Sequence, residues 1–264
     1  KTWTNTKFVD EDTGFVDVAI DPQSPDTLYA ASYQRRRTVF GYNGGGPGSA
    51  LWKTIDGGAT WTKLTKGLPS GELGRIGLDI YRKNGNLIYA VVEADAQSGG
   101  LGTGPVVVRD GARGGIFRTL DRGDTWEQVN GVNVRPMYFS QIRIDPKNAD
   151  TVYVLGVQVS RSTDGGKTWG QAAGGGGRGG RGGRTSFEGN LHSDHHALWL
   201  DPSDGQRAIL GNDGGLGITH DGGATWDHIA RLPLAQCYTV AVDMAEPYRI
   251  YSGLQDNEIG RAHV

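Results

Sequence analysis

Short runs of alternating apolar and polar residues recur along the whole chain. In the first run, 16–20, apolar side chains occupy every second position and Asp21-Pro22 follows, and a second apolar run lies at 27–30. Alternation with a period of two predicts β-strands, and a proline after aspartate fits a turn between strands better than a position inside a ladder. Such paired runs occur five times, within 16–30, 76–90, 142–154, 197–210 and 240–251.

An eight-residue segment follows four of these pairs, with the pattern (Ser/Thr)-x-Asp-x-Gly-x-Thr-Trp. The Asp carboxylate can accept backbone N–H groups, the Gly permits a positive φ, and the Trp can cover a neighbouring apolar surface. Each segment therefore predicts a tight turn between two strands. The Asp, Gly and Trp of the four copies are Asp56, Gly58, Trp61, Asp121, Gly123, Trp126, Asp164, Gly166, Trp169, Asp221, Gly223 and Trp226.

Repetition at this spacing predicts an all-β fold, a β-propeller whose blades are four-stranded antiparallel sheets. The chain is expected to form a single, partial propeller domain over residues 1–264, with about four full blades, partial blades at both ends, and about seven or more blades in the complete protein. The start, Lys1-Thr2-Trp3, matches the end of a turn segment and suggests an internal piece of a longer chain. The full blades are placed at 15–66, 72–131, 136–172 and 194–230, the partial ones at 1–9 and 238–256, and a Gly/Arg-rich insertion at 173–193.

The turn pattern resembles the Asp-box, or BNR, repeat of sialidase-like propellers. That superfamily includes sialidases, xyloglucan-cleaving glycosidases, sortilin-type receptors and a photosystem II assembly factor, and in it the repeat is a structural turn away from the active site. The segments 33–37, 64–69, 195–202, 211–215 and 253–257 resemble large bacterial proteins with a sortilin-like propeller at the N-terminus. That resemblance implies a location outside the cytoplasm, in the periplasm or secreted.

Composition limits the classes of partner and the cellular setting that fit the chain. The 264 residues carry 27 basic and 29 acidic side chains, so the near-neutral charge argues against nucleic acid as a partner. The single cysteine excludes an internal disulfide framework, and no run is long and apolar enough for a transmembrane segment. No cofactor is predicted.

Strand direction sorts the connections onto two faces of the predicted propeller. One carries the Asp-Pro turns and the repeated turns, and the other, the loop face, carries the long connections at 34–49, 94–115 and 171–193. Function usually resides on such elaborated loops. The residues predicted for a binding face are Gln34, Arg35, Arg36, Arg37, His192, His195, Gln255, Asn257, Arg178, Arg181 and Arg184.

Three acidic residues follow second strands on the loop face and are candidate catalytic groups: Glu93, Asp213 and Asp256. Glycoside hydrolysis needs two carboxylates about 5–10 Å apart, and the last two come from adjacent blades. Both also occupy Asn- or Asp-rich turns, in which a carboxylate commonly caps backbone N–H groups.

His192, Asp194 and His195 are candidate ligands for a metal ion. Strand alternation, however, directs His195 and His196 to opposite faces. The preferred interpretation is a strand entry without metal, in which these polar residues bond to loop backbone.

Two functions fit these features. The favoured one is a non-catalytic scaffold or accessory subunit that binds a protein partner or multisubunit complex, including peripheral attachment to a membrane complex. The alternative is a glycan-active enzyme, a glycoside hydrolase, or a carbohydrate-binding propeller. The scaffold is favoured because no Arg-Ile-Pro-like sialidase motif is present, and because the resembling xyloglucanases place their two catalytic aspartates on two separate propellers.

Overall fold

The computed structural model describes residues 2–94, 114–133, 136–169, 187–189, 191–229, 237–255 and 259–263. Within these ranges every regular element is a β-strand, and the strands form five antiparallel sheets and one small hairpin. No helix in the described part of the chain is long and apolar enough to cross a bilayer.

The strands are grouped in chain order. The first sheet contains β1 (Thr13–Ile20), β2 (Leu28–Gln34), β5 (Ala50–Thr54) and β6 (Thr62–Leu64), and β3 (Arg36–Arg37) pairs with β4 (Tyr42–Asn43) as a hairpin between β2 and β5. The second sheet contains β7 (Leu73–Ile80), β8 (Ile88–Ala94), β9 (Gly115–Thr119) and β10 (Glu127–Asn130). The third contains β11 (Gln141–Ile144), β12 (Val152–Leu155) and β13 (Ser160–Ser162). The fourth contains β14 (His195–Leu200), β15 (Ala208–Asn212), β16 (Gly215–Thr219) and β17 (Asp227–Ile229), and the fifth contains β18 (Cys237–Val242), β19 (Arg249–Leu254) and β20 (Ile259–His263).

Two ends of the chain differ from the sequence-based expectation. The lone strand expected within residues 1–9 is absent from residues 2–12, which pair with no strand of the described sheets. The fifth sheet contains β20, which lies beyond the predicted boundary at residue 256. The fourth strand expected for the third unit falls largely in 170–186, outside the described residues.

The four repeated turns share one set of hydrogen bonds. In the second, Asp121 accepts the Thr119 hydroxyl at 2.6 Å, the Thr125 backbone N–H at 2.9 Å and the Thr125 hydroxyl. These bonds, from Thr119 first and Thr125 next, lower the pKa of Asp121 to about 2. Gly123 adopts a φ of 84°, which only glycine tolerates without strain. The carboxylate thus holds the turn as an anion.

Apolar side chains fill the space between consecutive sheets. Ile76, Leu78 and Ile80 of β7 are buried against the first sheet, where they meet Tyr29 and Leu51. The same arrangement joins the second sheet to the third and the third to the fourth. The first four sheets are therefore stabilised mainly by the face of a neighbouring sheet.

Tyrosine hydroxyls add a polar link at two of these interfaces. The Tyr29 hydroxyl donates to the carbonyl of Arg122 at 2.7 Å, and the Tyr89 hydroxyl donates to the carbonyl of Gly165 at 3.1 Å. Both acceptors lie in the repeated turn of the following sheet. The turns therefore fix the registration between neighbouring sheets as well as the connection between two strands.

Aspartates on the first strands also bridge neighbouring sheets. Asp17 accepts the backbone N–H of Leu78 at 3.0 Å, and Asp79 accepts the backbone N–H of Ile144 at 2.7 Å. Burial is the main cause that raises the pKa of Asp79, to about 6, against the lowering effect of its backbone hydrogen bonds and of Arg143. Each carboxyl accepts a backbone N–H from an edge strand of the next sheet, on the side where that strand has no ladder partner.

Replacing Asp79 by Ala is expected to lower the free energy of unfolding by about 2–4 kcal/mol, because the N–H groups of Ile80 and Ile144 lose a buried acceptor. Urea denaturation measures this change. Asp227→Ala, at an exposed position of β17, is the matched control and should change stability by less than about 0.5 kcal/mol. Equal stability of the two variants would show that the inter-sheet bond contributes nothing.

Candidate functional site

The first strand of a sheet begins at the loop face with an irregularity in most sheets. The register shifts between Phe15 and Asp17 in β1, between Leu73 and Ile76 in β7, and between His195 and Ala197 in β14. Such bulges re-aim the neighbouring side chains. Polar residues near them therefore meet residues from the ends of the second strands.

Glu93, predicted as a catalytic candidate, lies near the loop-face end of β8. Its Oε2 atom accepts the backbone N–H of Arg75 at 2.8 Å. Burial raises the pKa of Glu93 to about 7, although that hydrogen bond and the charge of Arg75 act in the opposite direction. A carboxyl with this pKa can donate a proton near neutral pH.

Two tyrosines near this part of the loop face share a hydrogen bond. The hydroxyls of Tyr33 and Tyr42 are 2.8 Å apart, and Glu93 is among the groups that raise the pKa of Tyr33, after burial and Tyr42. Tyr33 is buried in β2, whereas Tyr42 is partly exposed on β4. The hairpin is thereby connected to the environment of Glu93.

Arg75 extends the contacts towards the third and fourth sheets. Its guanidinium donates to the carbonyl of Tyr138 at 2.7 Å. The neighbouring ring of Phe139 stacks on His196 with centroids 5.0 Å apart, and His196 Nε2 lies 3.1 Å from Asp213 Oδ1. A second predicted carboxylate, Asp213, thus belongs to the same contiguous set.

We call this set the loop-face cluster. It combines two carboxyls, one guanidinium, one imidazole and four aromatic rings from the first, second and fourth sheets and the segment before the third. Its members are Tyr33, Tyr42, Arg75, Glu93, Tyr138, Phe139, His196 and Asp213.

The candidate metal ligands do not assemble into a metal site. His192 Nδ1 lies 2.9 Å from the carbonyl oxygen of Ser193, and Asp194 accepts the Ser193 hydroxyl at 3.2 Å. His195 is fully buried, and burial lowers its pKa to about 4, so the ring is neutral at ordinary pH. Among the described residues no group of three or more His, Cys, Asp or Glu is placed to hold a metal ion.

The remaining predicted residues have varied positions. Gln34 accepts the N–H of Gly48 at 2.9 Å and so holds the loop before β5. Arg35, Arg36 and Arg37 are exposed on the hairpin, and Gln255 lies in a turn after β19. Asp256, Asn257, Arg178, Arg181 and Arg184 lie outside the described residues.

Sequence reasoning missed most of the neighbours of Glu93 and Asp213. Arg75, Tyr138 and Phe139 belong to no sequence motif, and their contacts join residues that are 18 to 63 positions apart. Tyr33 and Tyr42 carry a weak signal, since they flank the three consecutive arginines. A pairing of these two tyrosines would have predicted a hairpin between them.

Comparison with known proteins gives the following results. No protein-family model matches the chain. A curated protein from Neosartorya fischeri, a probable oligoxyloglucan-reducing end-specific xyloglucanase, is 30% identical over 169 residues, which cover 59% of this chain and 17% of that protein. The chain therefore spans about a sixth of the length of the curated relative that it matches.

Two solved structures are similar in fold. The GH74 enzyme from Niastella koreensis has a TM-score of 0.52 and 18% identity over 92% of this chain and 33% of its own. The GH74 xyloglucanase from Xanthomonas campestris has a TM-score of 0.50 and 18% identity over 93% of this chain and 34% of its own. Both are β-propellers, which confirms the predicted all-β propeller class; the sortilin-like subgroup and the blade number stay predictions.

The favoured function from the sequence, a non-catalytic scaffold, is wrong by these comparisons. The similar proteins are xyloglucanases and GH74 enzymes, which fit the alternative of a glycan-active propeller. The scaffold was favoured because a sialidase motif is absent and because the resembling xyloglucanases place their catalytic aspartates on two propellers. Neither ground excludes a hydrolase of which this chain forms one part.

Replacing Glu93 by Gln is expected to remove a pH-dependent loss of stability. Because its pKa is raised from 4.5 to about 7 on folding, the contribution of Glu93 is complete below about pH 4.5 and is lost as the pH rises through about 7. The unfolding free energy of the parent protein relative to the Gln variant should fall by about 3 kcal/mol over that interval, as measured by urea denaturation.

Glu72→Gln is the matched control, because Glu72 is exposed and immediately precedes β7 of the same sheet. Its pH profile should parallel that of the parent protein. Parallel profiles for the parent and the Glu93 variant would instead show that Glu93 titrates normally in the folded chain.

Proposed function

We propose that this chain is the glycan-contacting part of a glycoside hydrolase of the propeller type. The observation that carries the proposal is the 30% identity to a probable xyloglucanase over more than half of the chain. The loop-face cluster is consistent with this activity, since it places a proton-donating carboxyl among partly exposed aromatic rings. Because the chain spans only part of the similar proteins, the activity is proposed for the whole protein to which the chain belongs.

In the proposed reaction Glu93 is the general acid. Its carboxyl, protonated up to about neutral pH, donates a proton to the glycosidic oxygen of the leaving sugar as the bond to the anomeric carbon breaks. A second carboxylate assists the attacking water or forms the bond to the anomeric carbon. Asp213 or Asp256 fills this role, and both follow second strands of the fourth and fifth sheets.

Aromatic side chains position the polysaccharide in this proposal. Tyr42 and Tyr138 are partly exposed in the loop-face cluster and present flat apolar surfaces with polar edges. Sugar rings carry a comparable mixture of C–H faces and hydroxyl edges. Stacking on these rings would hold the chain of sugars beside Glu93.

The architecture proposed for the complete protein follows from the repeats. Each antiparallel sheet corresponds to one blade, the repeated turns are Asp boxes, and the protein has more blades than this chain contains. We place the protein outside the cytoplasm, in the periplasm or secreted, because polysaccharides of this kind are encountered there.

Glu93→Gln is expected to reduce the hydrolysis of polysaccharide by about 10²–10⁴-fold without a large change in KM, since the proton donor is lost while the binding surface stays. Release of reducing ends from a panel of plant and bacterial polysaccharides measures the rate. Asp213→Asn and Asp256→Asn, tested separately, identify the second carboxylate by a loss of similar size.

Asp227→Asn is the control, because this carboxylate is exposed on β17 and outside the cluster. Thermal unfolding of each variant verifies that the fold is retained. Full activity of the Glu93 variant, or a complete protein that cleaves no member of the panel, would refute the proposed function.

A further inference from the structure

The hairpin formed by β3 and β4 presents two apolar side chains at an ordered tip. The turn between the strands is closed by the N–H of Thr38, which donates to the carbonyl of Gly41 at 2.8 Å, and by the N–H of Phe40, which donates to the Thr38 hydroxyl at 3.3 Å. Val39 and Phe40 are nevertheless 90% and 98% exposed. Hydrogen bonds within the turn thus fix the backbone that carries Phe40, while its ring is exposed to water and adds nothing to the core.

Three consecutive arginines lead into this tip. The Arg35 guanidinium lies 5.7 Å from the centroid of the Tyr42 ring. Arg36 is 3.7 Å from Asp12, in a pair whose side chains are both more than half exposed, so water largely screens it. Arg37 forms no ion pair with any residue that the structure describes. The hairpin therefore carries an excess of positive charge.

The hairpin is fixed beside the loop-face cluster. Tyr42 bonds to Tyr33, and a Cβ atom placed on Gly44 would lie only 2.6 Å from the Tyr42 ring, so that the ring packs directly on the glycine backbone. Just after the hairpin, the Gly46 N–H donates to the carbonyl of Leu73 at 3.0 Å, and Leu73 pairs with Ala94, the residue that follows Glu93. A polymer bound at Glu93 and continuing past Tyr42 would next meet Phe40 and the arginines.

We propose that this hairpin is a subsite for an acidic polysaccharide, in which uronic acid carboxylates pair with Arg35, Arg36 and Arg37 while a sugar ring stacks on Phe40. Guanidinium groups bind carboxylates through two parallel N–H···O bonds, and an exposed aromatic ring suits the C–H face of a sugar. The inference rests on the proposed function and extends it, because a neutral polysaccharide such as xyloglucan has no group for the arginines to bind.

A membrane surface fits the hairpin less well. Membrane attachment through an apolar face strengthens with the apolar area that it buries, and this tip offers only two side chains. The surface next to the hairpin carries the polar groups of Glu93, Arg75 and Tyr42, which suit the hydroxyls of a sugar chain better than lipid tails.

The test compares binding of the full chain to polygalacturonate, alginate and xyloglucan by isothermal titration calorimetry at two salt concentrations. The parent protein should bind the two acidic polymers at least tenfold more tightly than xyloglucan, and this preference should weaken with salt. The triple variant Arg35→Gln, Arg36→Gln, Arg37→Gln should lose at least tenfold in affinity for the acidic polymers and little for xyloglucan. Phe40→Ala should lose about three- to tenfold for all three.

Matched controls remove the same groups elsewhere. Arg82→Gln, Lys83→Gln, Lys147→Gln deletes three exposed cations from the opposite face, and Met244→Ala deletes another fully exposed apolar side chain. Neither should alter binding.

Equal binding by the parent and the triple Gln variant, or a preference for xyloglucan, would overturn the subsite. If cleavage still depended on Glu93, the proposed hydrolase would stand without it. Binding to vesicles of phosphatidylglycerol that depends on the arginines and Phe40, without binding to acidic polysaccharide, would replace the subsite with a membrane contact. Absence of both binding and cleavage for every polysaccharide would refute the subsite and the hydrolase together.

Discussion

Burial of an apolar face of one sheet against the next is the interaction on which the rest of this structure depends. A lone antiparallel sheet of four short strands cannot cover its own apolar side chains, so Ile76 or Ile142 is buried only after two sheets have met. The hydrogen bonds of Tyr29 and Asp79 between sheets then select one registration among the many that apolar contact alone would permit. Packing supplies most of the stability and the polar links supply the geometry.

The loop-face cluster is a product of that registration. Tyr33 belongs to the first sheet, Glu93 to the second and Asp213 follows a strand of the fourth, so no single sheet contains a site. A shift between two sheets would separate these side chains while each turn and strand stayed intact. The chemistry of the cluster is therefore coupled to the inter-sheet contacts more tightly than to any local motif.

Much of the fold was predictable from the sequence because it depends on local patterns. Period-two alternation gave the strands, and the repeated Asp, Gly and Trp positions gave turns whose hydrogen bonds are the same four times. Glu93 and Asp213 could be proposed because both follow apolar strands on the same face. Arg75 and Phe139 could not, since their contacts with Glu93 and His196 arise only when distant segments pack together. The scaffold prediction was wrong for a related reason, because the absence of a local sialidase motif and the presence of only part of a propeller were taken as evidence against catalysis.

Two glycines restrict which substitutions this part of the structure can accept. A Cβ atom on Gly74 would collide with the carboxylate of Glu93, and one on Gly214 would collide with His192. Natural variation can alter what stands at position 93, since a glutamine or aspartate has room there, but any side chain at position 74 expels the group opposite. A change of chemistry at this face is therefore accommodated more readily at Glu93 itself than at Gly74, because a side chain at Gly74 displaces the carboxylate.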